Sequence, residues 1–147
     1  MKVIVQQAPF DPYHVITDYQ AKHLQPGRYG AVVSFVGAMR DFGEQDSVTA
    51  MILEHYAGMT EKQIEKVCND AATQWDVLDM LVVHRYGELH PNDPIVLVAV
   101  WSTHRSDGFD ACRYIINFLK QRAPFWKREI GSSGARWVES NTEDIGI

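Results

Sequence analysis

Residues 77–103 read VLDMLVVHRYGELHPNDPIVLVAVWST. Two apolar runs flank HPND (90–93), whose proline, asparagine and aspartate are turn formers, so the stretch predicts two strands folded on each other as a hairpin. Successive strands with no helix between them favour antiparallel pairing. That pairing decides the class as α+β rather than doubly wound α/β.

The segments on either side fit the same class. Upstream, YGAVVSFVGAMR (29–40) is rich in Val and Phe and reads as a largely buried strand ending at a charged loop, DFGEQDS (41–47), with VTAMILEHY (48–56) as the next strand. Thr60 to Gln63 fits a capping box, and Ile64, Val67, Cys68, Ala71 and Trp75 come after it at spacings of three and four, the apolar face of a helix. Earlier still, residues 2–5 form a short strand. Asp11 and Pro12 then open a helix through HVITDYQAKHL (14–24), since proline suits the first turn and aspartate caps it, and Gly27 and Gly30 punctuate the chain between this helix and the strand after it. Downstream, Ser106 or Asp107 caps a last long helix running to about Gln121, with Phe109, Cys112, Ile115, Ile116 and Leu119 apolar. Pro124 ends or bends it, and RWVES (136–140) is a closing strand. No repeat or low-complexity linker interrupts the chain, which reads as one domain over residues 1–147.

Composition excludes several function classes. The chain has 147 residues, 46% of them hydrophobic, and can bury one substantial core. A formal charge of −5 argues against a general binder of nucleic acid or anionic membrane, which needs a broad basic surface. Two cysteines, Cys68 and Cys112, with no CxxC suggest neither a disulfide framework nor a zinc ribbon. The start MKVIVQQAPF lacks a secretory apolar region and no apolar run approaches the ~18 residues of a membrane span, so a soluble, cytoplasmic protein is expected.

Against that acidic background, LKQRAPFWKRE (119–129) gathers Lys120, Arg122, Lys127 and Arg128 around a proline and two aromatics. Lys120 and Arg122 lie near a helix C-terminus, where cations offset the exposed carbonyl dipole by about 0.3–1 kcal/mol. Lys127 and Arg128 come after the proline and have no such explanation. Phe125 and Trp126, buried beside them, would fix the backbone so that Lys120 and Lys127 point into one cavity. A lysine desolvated near other cations loses proton affinity and can act as nucleophile or general base. Three further places could join. Arg40, in GAMRDFG (37–43), sits at a strand end where a guanidinium can fork onto phosphate or carboxylate. His104 and Arg105 stand between a buried strand and a helix N-terminus, a setting that favours anions. Arg40, His104 and Arg105 together are expected to surround one phosphate.

Other candidates read as structural. His84 and Arg85 repeat the His-Arg dipeptide inside a strand, where alternation sends their side chains to opposite faces. His14, His23, His55 and His90 have no ligand spacing, so no metal site is expected. Cys68 and Cys112 fall on apolar helix faces and behave as small hydrophobes. No GxSxG, Walker A or GxGxxG sequence is present.

The segments GAVVSFVGAMRD, LEHYAGMTEKQIEK, HRYGELHPNDPIVLVAVWSTHRSDGFDAC and LKQRAPFWKRE, with RWVE after them, resemble in the same order the large, catalytic subunit of molybdopterin synthase. The resemblance runs from about residue 29 to 139, and HYxGMTE and KxRAPFWKRE are its most distinctive parts. It implies an enzyme that converts cyclic pyranopterin monophosphate to molybdopterin by inserting two sulfurs as a dithiolene. It also implies a partner, a small ubiquitin-like subunit whose C-terminal Gly-Gly carries the sulfur as a thiocarboxylate. No cofactor is implied. Sulfur arriving on a partner agrees with the absence of a reactive thiol. The implied fold is an α/β hammerhead with an additional antiparallel sheet, in a homodimer flanked by small subunits to make a heterotetramer.

Carried over by position, the resemblance puts the catalytic lysine at Lys120 and a second important lysine at Lys127. Substrate contacts fall on Ala38, Met39 and Arg40, on His104 and Arg105, and on Lys120, Lys127, Arg128 and Glu129. Two positions depart from the family: Ala38 stands where a lysine is common, and Ser140 and Asn141 stand where an arginine often comes after WVE. Both changes remove a cation from the phosphate's surroundings. Two other uses of the same cationic pocket compete: a phosphoester-processing enzyme needing no protein partner, and a non-catalytic homologue that anchors an assembly.

Overall fold

The computed structural model describes residues 1–41, 48–123, 125–131 and 134–138. Among them the chain runs β1 (Lys2–Gln6), α1 (Pro12–His23), β2 (Ala31–Ala38), β3 (Val48–His55), α2 (Met59–Gln74), β4 (Val77–Arg85), β5 (Gly87–Leu89), β6 (Pro94–Ser102), α3 (Arg105–Gln121), β7 (Phe125–Gly131) and β8 (Gly134–Val138). One four-stranded sheet has the order β1-β4-β6-β2 and the other β5-β3-β7-β8. The mixed α+β class expected from the central hairpin is the one the chain adopts.

Alternation in the two hairpin strands explains why helices cover both faces of the first sheet. Met80 and Val82 of β4 and Val96, Val98 and Val100 of β6 pack under α2 and α3, against Ile64, Val67, Cys68, Ala111, Cys112, Ile115 and Leu119. Their neighbours Leu81, Val83, Leu97, Ala99 and Trp101 point the other way, toward Val15, Ile16 and Tyr19 of α1. A strand hidden on both faces has no polar side to show, so its sequence is a nearly unbroken apolar run. β4 and β6 pair antiparallel, with Leu81 opposite Ala99.

α1 begins as its sequence predicts: Pro12 opens the first turn and the Asp11 carboxylate accepts from the Tyr13 N–H at 3.0 Å and the His14 N–H at 3.4 Å. The other two helices start elsewhere than expected. The N-cap of α2 is Gly58, whose N–H donates to Glu61 at 2.6 Å, so the box lies two residues before Thr60–Gln63, and Thr60 itself is buried. α3 is preceded by His104 as N-cap, with no side-chain cap from Ser106 or Asp107.

Strand pairing departs from the sequence reading where partners are distant or the chain changes sheet. β1 pairs parallel with β4, with Ile4 opposite Val83. β2 and β3 are consecutive but belong to different sheets. The run 77–89 is two strands. At Gly87 the backbone takes φ of 89°, and a Cβ there would lie 3.0 Å from the Gln7 side chain. That left-handed turn, which glycine adopts at little cost, lets the chain leave the first sheet and pair as β5 with β3 in the second. The segment 125–131, after the last helix, is a strand lying between β3 and β8. The predicted loop 41–47 lies outside the described residues beyond Asp41, as do Pro124 and the end of RWVES at Glu139 and Ser140.

The two sheets meet at a third apolar cluster of Met39, Met51, Leu53, Leu89 and Ile95, against which Phe125 packs. This junction positions the candidate site.

Candidate active site

Only a short link separates the end of α3, which carries Lys120, from the start of β7, which carries Lys127. Lys120 is half-buried in the last turn of α3, where the Arg122 and Ala123 N–H groups both donate to the Phe118 carbonyl, at 2.8 and 3.1 Å. The Phe125 N–H then donates to the Ala123 carbonyl at 2.8 Å, and β7 begins at once. Lys127 is third in that strand, opposite Leu53 of β3 and Val138 of β8. Only 5% of it is exposed. A buried ammonium is costly unless anions or hydrogen-bond acceptors face it. Arg128, next along and opposite Ile52, is half-buried, and Glu129 is paired with Met51.

Alternation separates the two aromatics expected to fix the lysines. Phe125 shares the face of Lys127 and packs into the junction between the sheets. Trp126 is on the opposite face, 39% exposed, its ring edge-on to Tyr56 at 4.4 Å. Phe125 therefore packs beside Lys127 as expected, and Trp126 does not.

Ala38, Met39 and Arg40 reach the same end of the molecule. Ala38 is the last residue of β2, opposite Pro94, and the chain continues along the turn before β6 through Met39 N–H to the Asp93 carbonyl at 3.0 Å and Asn92 N–H to the Met39 carbonyl at 2.8 Å. Met39 is buried in the junction with Leu53 and Phe125, while Ala38 and Arg40 are exposed on either side of it. The core side chain at Met39 thus anchors Arg40 near the Lys127 strand.

His104 and Arg105 lie elsewhere. They come after β6 and begin α3, both exposed, with the Ser102 hydroxyl donating to the His104 carbonyl at 2.7 Å. β2 and β6 are antiparallel, with Ala31 opposite Ser102 and Ala38 opposite Pro94, so Arg40 and His104 stand at opposite ends of the strand pair, about 27 Å apart at the rise of a strand. The fifteen steps along α3 from Arg105 to Lys120 give a similar separation, about 22 Å. Within one chain the three do not surround one phosphate. The pairing register, invisible in the sequence motifs, is the reason.

A second group of residues behind Lys127 has only a weak sequence signal. His84, at the end of β4, is wholly buried and stacks on Phe125 with ring centroids 3.9 Å apart and planes 15° from parallel. Its Nδ1 lies 2.8 Å from the Arg85 carbonyl, which can only accept, so Nδ1 carries the proton. Burial pushes its pKa down to about 4; the Arg85 hydrogen bond opposes this, and Lys127 and His55 add to it. His55, the cross-strand partner of Phe125, lies 6.1 Å from its ring and also meets Tyr86 at 4.3 Å. Its Nδ1 is 3.7 Å from Glu61, the carboxylate that caps α2. Arg85 is buried as well, its guanidinium donating to the Gln7 carbonyl at 3.0 and 3.2 Å and lying 3.7 Å from Asp93. The only sequence hint of this group is a histidine closing an otherwise apolar run.

Neither cysteine offers sulfur chemistry. Both are buried, and burial pushes Cys68 up to about 12 and Cys112 up to about 11, far from thiolate at neutral pH. Among the described residues no group of His, Cys, Asp or Glu is arranged to hold a metal ion, and no helix is long and apolar enough to cross a membrane.

Residues 5–122 match a family model described as MoaE protein. The chain is 46% identical over 144 residues to the molybdopterin synthase catalytic subunit of Pseudomonas aeruginosa, covering 98% of this chain and 94% of the relative. Among solved structures, the molybdopterin biosynthesis MoaE protein from Burkholderia ambifaria superposes with a TM-score of 0.79 at 40% identity, over 97% of this chain and 92% of that one. The crystal structure of molybdopterin synthase from Staphylococcus aureus gives a TM-score of 0.83 at 30% identity, over 94% of this chain and 98% of that one.

Proposed function

The chain belongs to the MoaE protein family, and from that premise we propose that it is the catalytic subunit of a molybdopterin synthase. It converts cyclic pyranopterin monophosphate to molybdopterin by inserting two sulfurs, each delivered as the C-terminal thiocarboxylate of a small ubiquitin-like subunit that leaves as the carboxylate. The observation that carries the site assignment is the burial of Lys127 in an inner strand three residues into β7, immediately after the helix that ends with Lys120. Two ammonium groups held by rigid elements at one end of the molecule suit a reaction in which every participant is an anion: a thiocarboxylate, a phosphate and a departing carboxylate.

In this reading Lys120 assists attack of the thiocarboxylate sulfur or release of the carrier's carboxylate, and Lys127 stabilises the negative charge that develops. Arg40, with Ala38 and Met39, bounds the substrate on the same side, and Arg128 and Glu129, next to Lys127 along β7, are further substrate contacts. His104 and Arg105, about 22 Å along α3 from Lys120, serve the site of a second copy in a homodimer, where a two-fold axis can bring one chain's α3 N-terminus to the other's α3 C-terminus. The small subunits complete a heterotetramer, and the work is cytoplasmic, in keeping with two unpaired cysteines.

The test uses the purified chain, cyclic pyranopterin monophosphate and the small subunit with and without its thiocarboxylate, with the dithiolene detected after oxidation to its fluorescent form. Product is expected only with the charged subunit. Turnover of the phosphorylated substrate without it would select phosphoester chemistry, and no product under any condition would select a non-catalytic assembly subunit.

A further inference from the structure

We propose that His84 is a positioning residue for Lys127, acting through the ring of Phe125. The inference rests on the reading of Lys127 as a functional lysine and adds a residue to it. Lys120 rides on α3, packed on the first sheet, whereas Lys127 belongs to the second. Their relative placement therefore depends on what ties β7 to the first sheet. His84, the penultimate residue of β4, is one such tie beside the apolar junction: its ring lies flat on Phe125, two residues before Lys127 and on the same face of β7.

The imidazole is held rigidly. The Nδ1–H bond to the Arg85 carbonyl fixes its rotation, and Arg85 is itself anchored by the Gln7 carbonyl and Asp93. Phe125 is also flanked by its cross-strand partner His55, with ring centroids 6.1 Å apart. Volume alone does not account for a histidine here, since a valine or phenylalanine continuing the run of Val82 and Val83 would need no buried hydrogen bond. What the imidazole supplies is a flat face whose angle is set by a hydrogen bond. Burial also keeps it uncharged at neutral pH, so it adds no second cation beside Lys127.

The full chain assembled with the thiocarboxylated small subunit is assayed on cyclic pyranopterin monophosphate. His84→Asn keeps a donor near the Nδ1 position and removes the ring; His84→Phe keeps the ring and removes the donor; Phe125→Leu removes the other half of the stack. Displacement of a reacting group by about 1 Å costs up to about 100-fold, so His84→Asn should lower kcat at least about 10-fold with KM for the small subunit within about two-fold. His84→Phe, which keeps the ring but frees its angle, should give a kcat between those of His84→Asn and the parent, and the His84→Asn, Phe125→Leu double variant should be no worse than the poorer single, because both break one contact. Lys127→Ala, run alongside, reads the premise. If Lys127→Ala is inactive while His84→Asn keeps full kcat, the positioning role is overturned and the Lys127 reading stands; if Lys127→Ala is fully active, the premise itself falls. Equal losses in His84→Asn and His84→Phe would overturn the stack as the means. Should His84→Asn not fold, Phe125→Leu decides: unchanged kcat overturns the proposal, and a kcat loss at constant KM supports it.

Discussion

Lys120 and Lys127 differ in what their side chains owe to the fold. Lys120 ends a helix, half-buried, where a cation adds about 1 kcal/mol or less through the dipole, so Lys120→Ala should leave the denaturation midpoint almost unchanged while removing at least about 100-fold of turnover. Arg122→Ala is the control. It is exposed at the C-cap of the same helix, and turnover within about two-fold of the parent is expected. Near-normal turnover in Lys120→Ala would remove it from the chemistry. His84 makes a prediction of a different kind, in pH. Its imidazole is held neutral in the folded chain with a pKa of about 4, whereas the unfolded chain takes up the proton near 6.5. The contribution to stability is therefore complete above about 6.5 and is lost as pH falls toward 4, with a total of about 3 kcal/mol. Urea unfolding of the parent and of His84→Phe across pH 4 to 7 should show this part of the slope in the parent alone. Parallel curves would mean that His84 charges freely in the fold.

At the scale of elements, α3 shows how little room the site allows for change. Its first turn approaches the first sheet so closely that a Cβ on Gly108 would lie 2.9 Å from both the Ser102 hydroxyl and a Val33 methyl. Gly108→Ala should push the start of α3 off β2 and β6 and cost about 1–3 kcal/mol, despite alanine's better helix propensity. A denaturation midpoint equal to the parent's would show that the helix has slack there. The elements that could be read in the sequence are those whose cause is local. Met80 and Val82 alternate with Leu81 and Val83, HPND supplies a turn, Asp11 supplies a cap, and Ile64, Val67, Cys68 and Ala71 recur at helical spacing. What could not be read depends on partners far along the chain. β7 is written FWKREIG, a mixture of aromatics and charges with no apolar alternation, and it is a strand because β3 and β8 stand on either side of it. β1 pairs parallel with β4 across more than half the chain, and no short-range pattern encodes that register.

For the molecule as a whole, the residue types of the site were legible and their arrangement was not. Lys127 and Arg128 could be chosen as cations with no helix end to explain them, but only the β2–β6 register puts Arg40 at one end of the sheet and His104 with Arg105 at the other. Two cationic groups about 27 Å apart cannot hold one small substrate in a single chain. If both serve the reaction, a two-fold assembly must supply one group from each copy, and this has a measurable consequence. Lys120→Ala and Arg105→Ala, each inactive as a pure dimer, should regain activity when co-expressed and assembled with the charged small subunit. In a mixed two-fold dimer one of the two sites draws both defects and the other draws neither. Random pairing makes half the dimers mixed, so about a quarter of parental turnover is expected. Mixtures that stay inactive, with mixed dimers verified by two affinity tags, would place His104 and Arg105 outside the reacting site and leave the Lys120 end of the chain to bind the phosphate with Arg40.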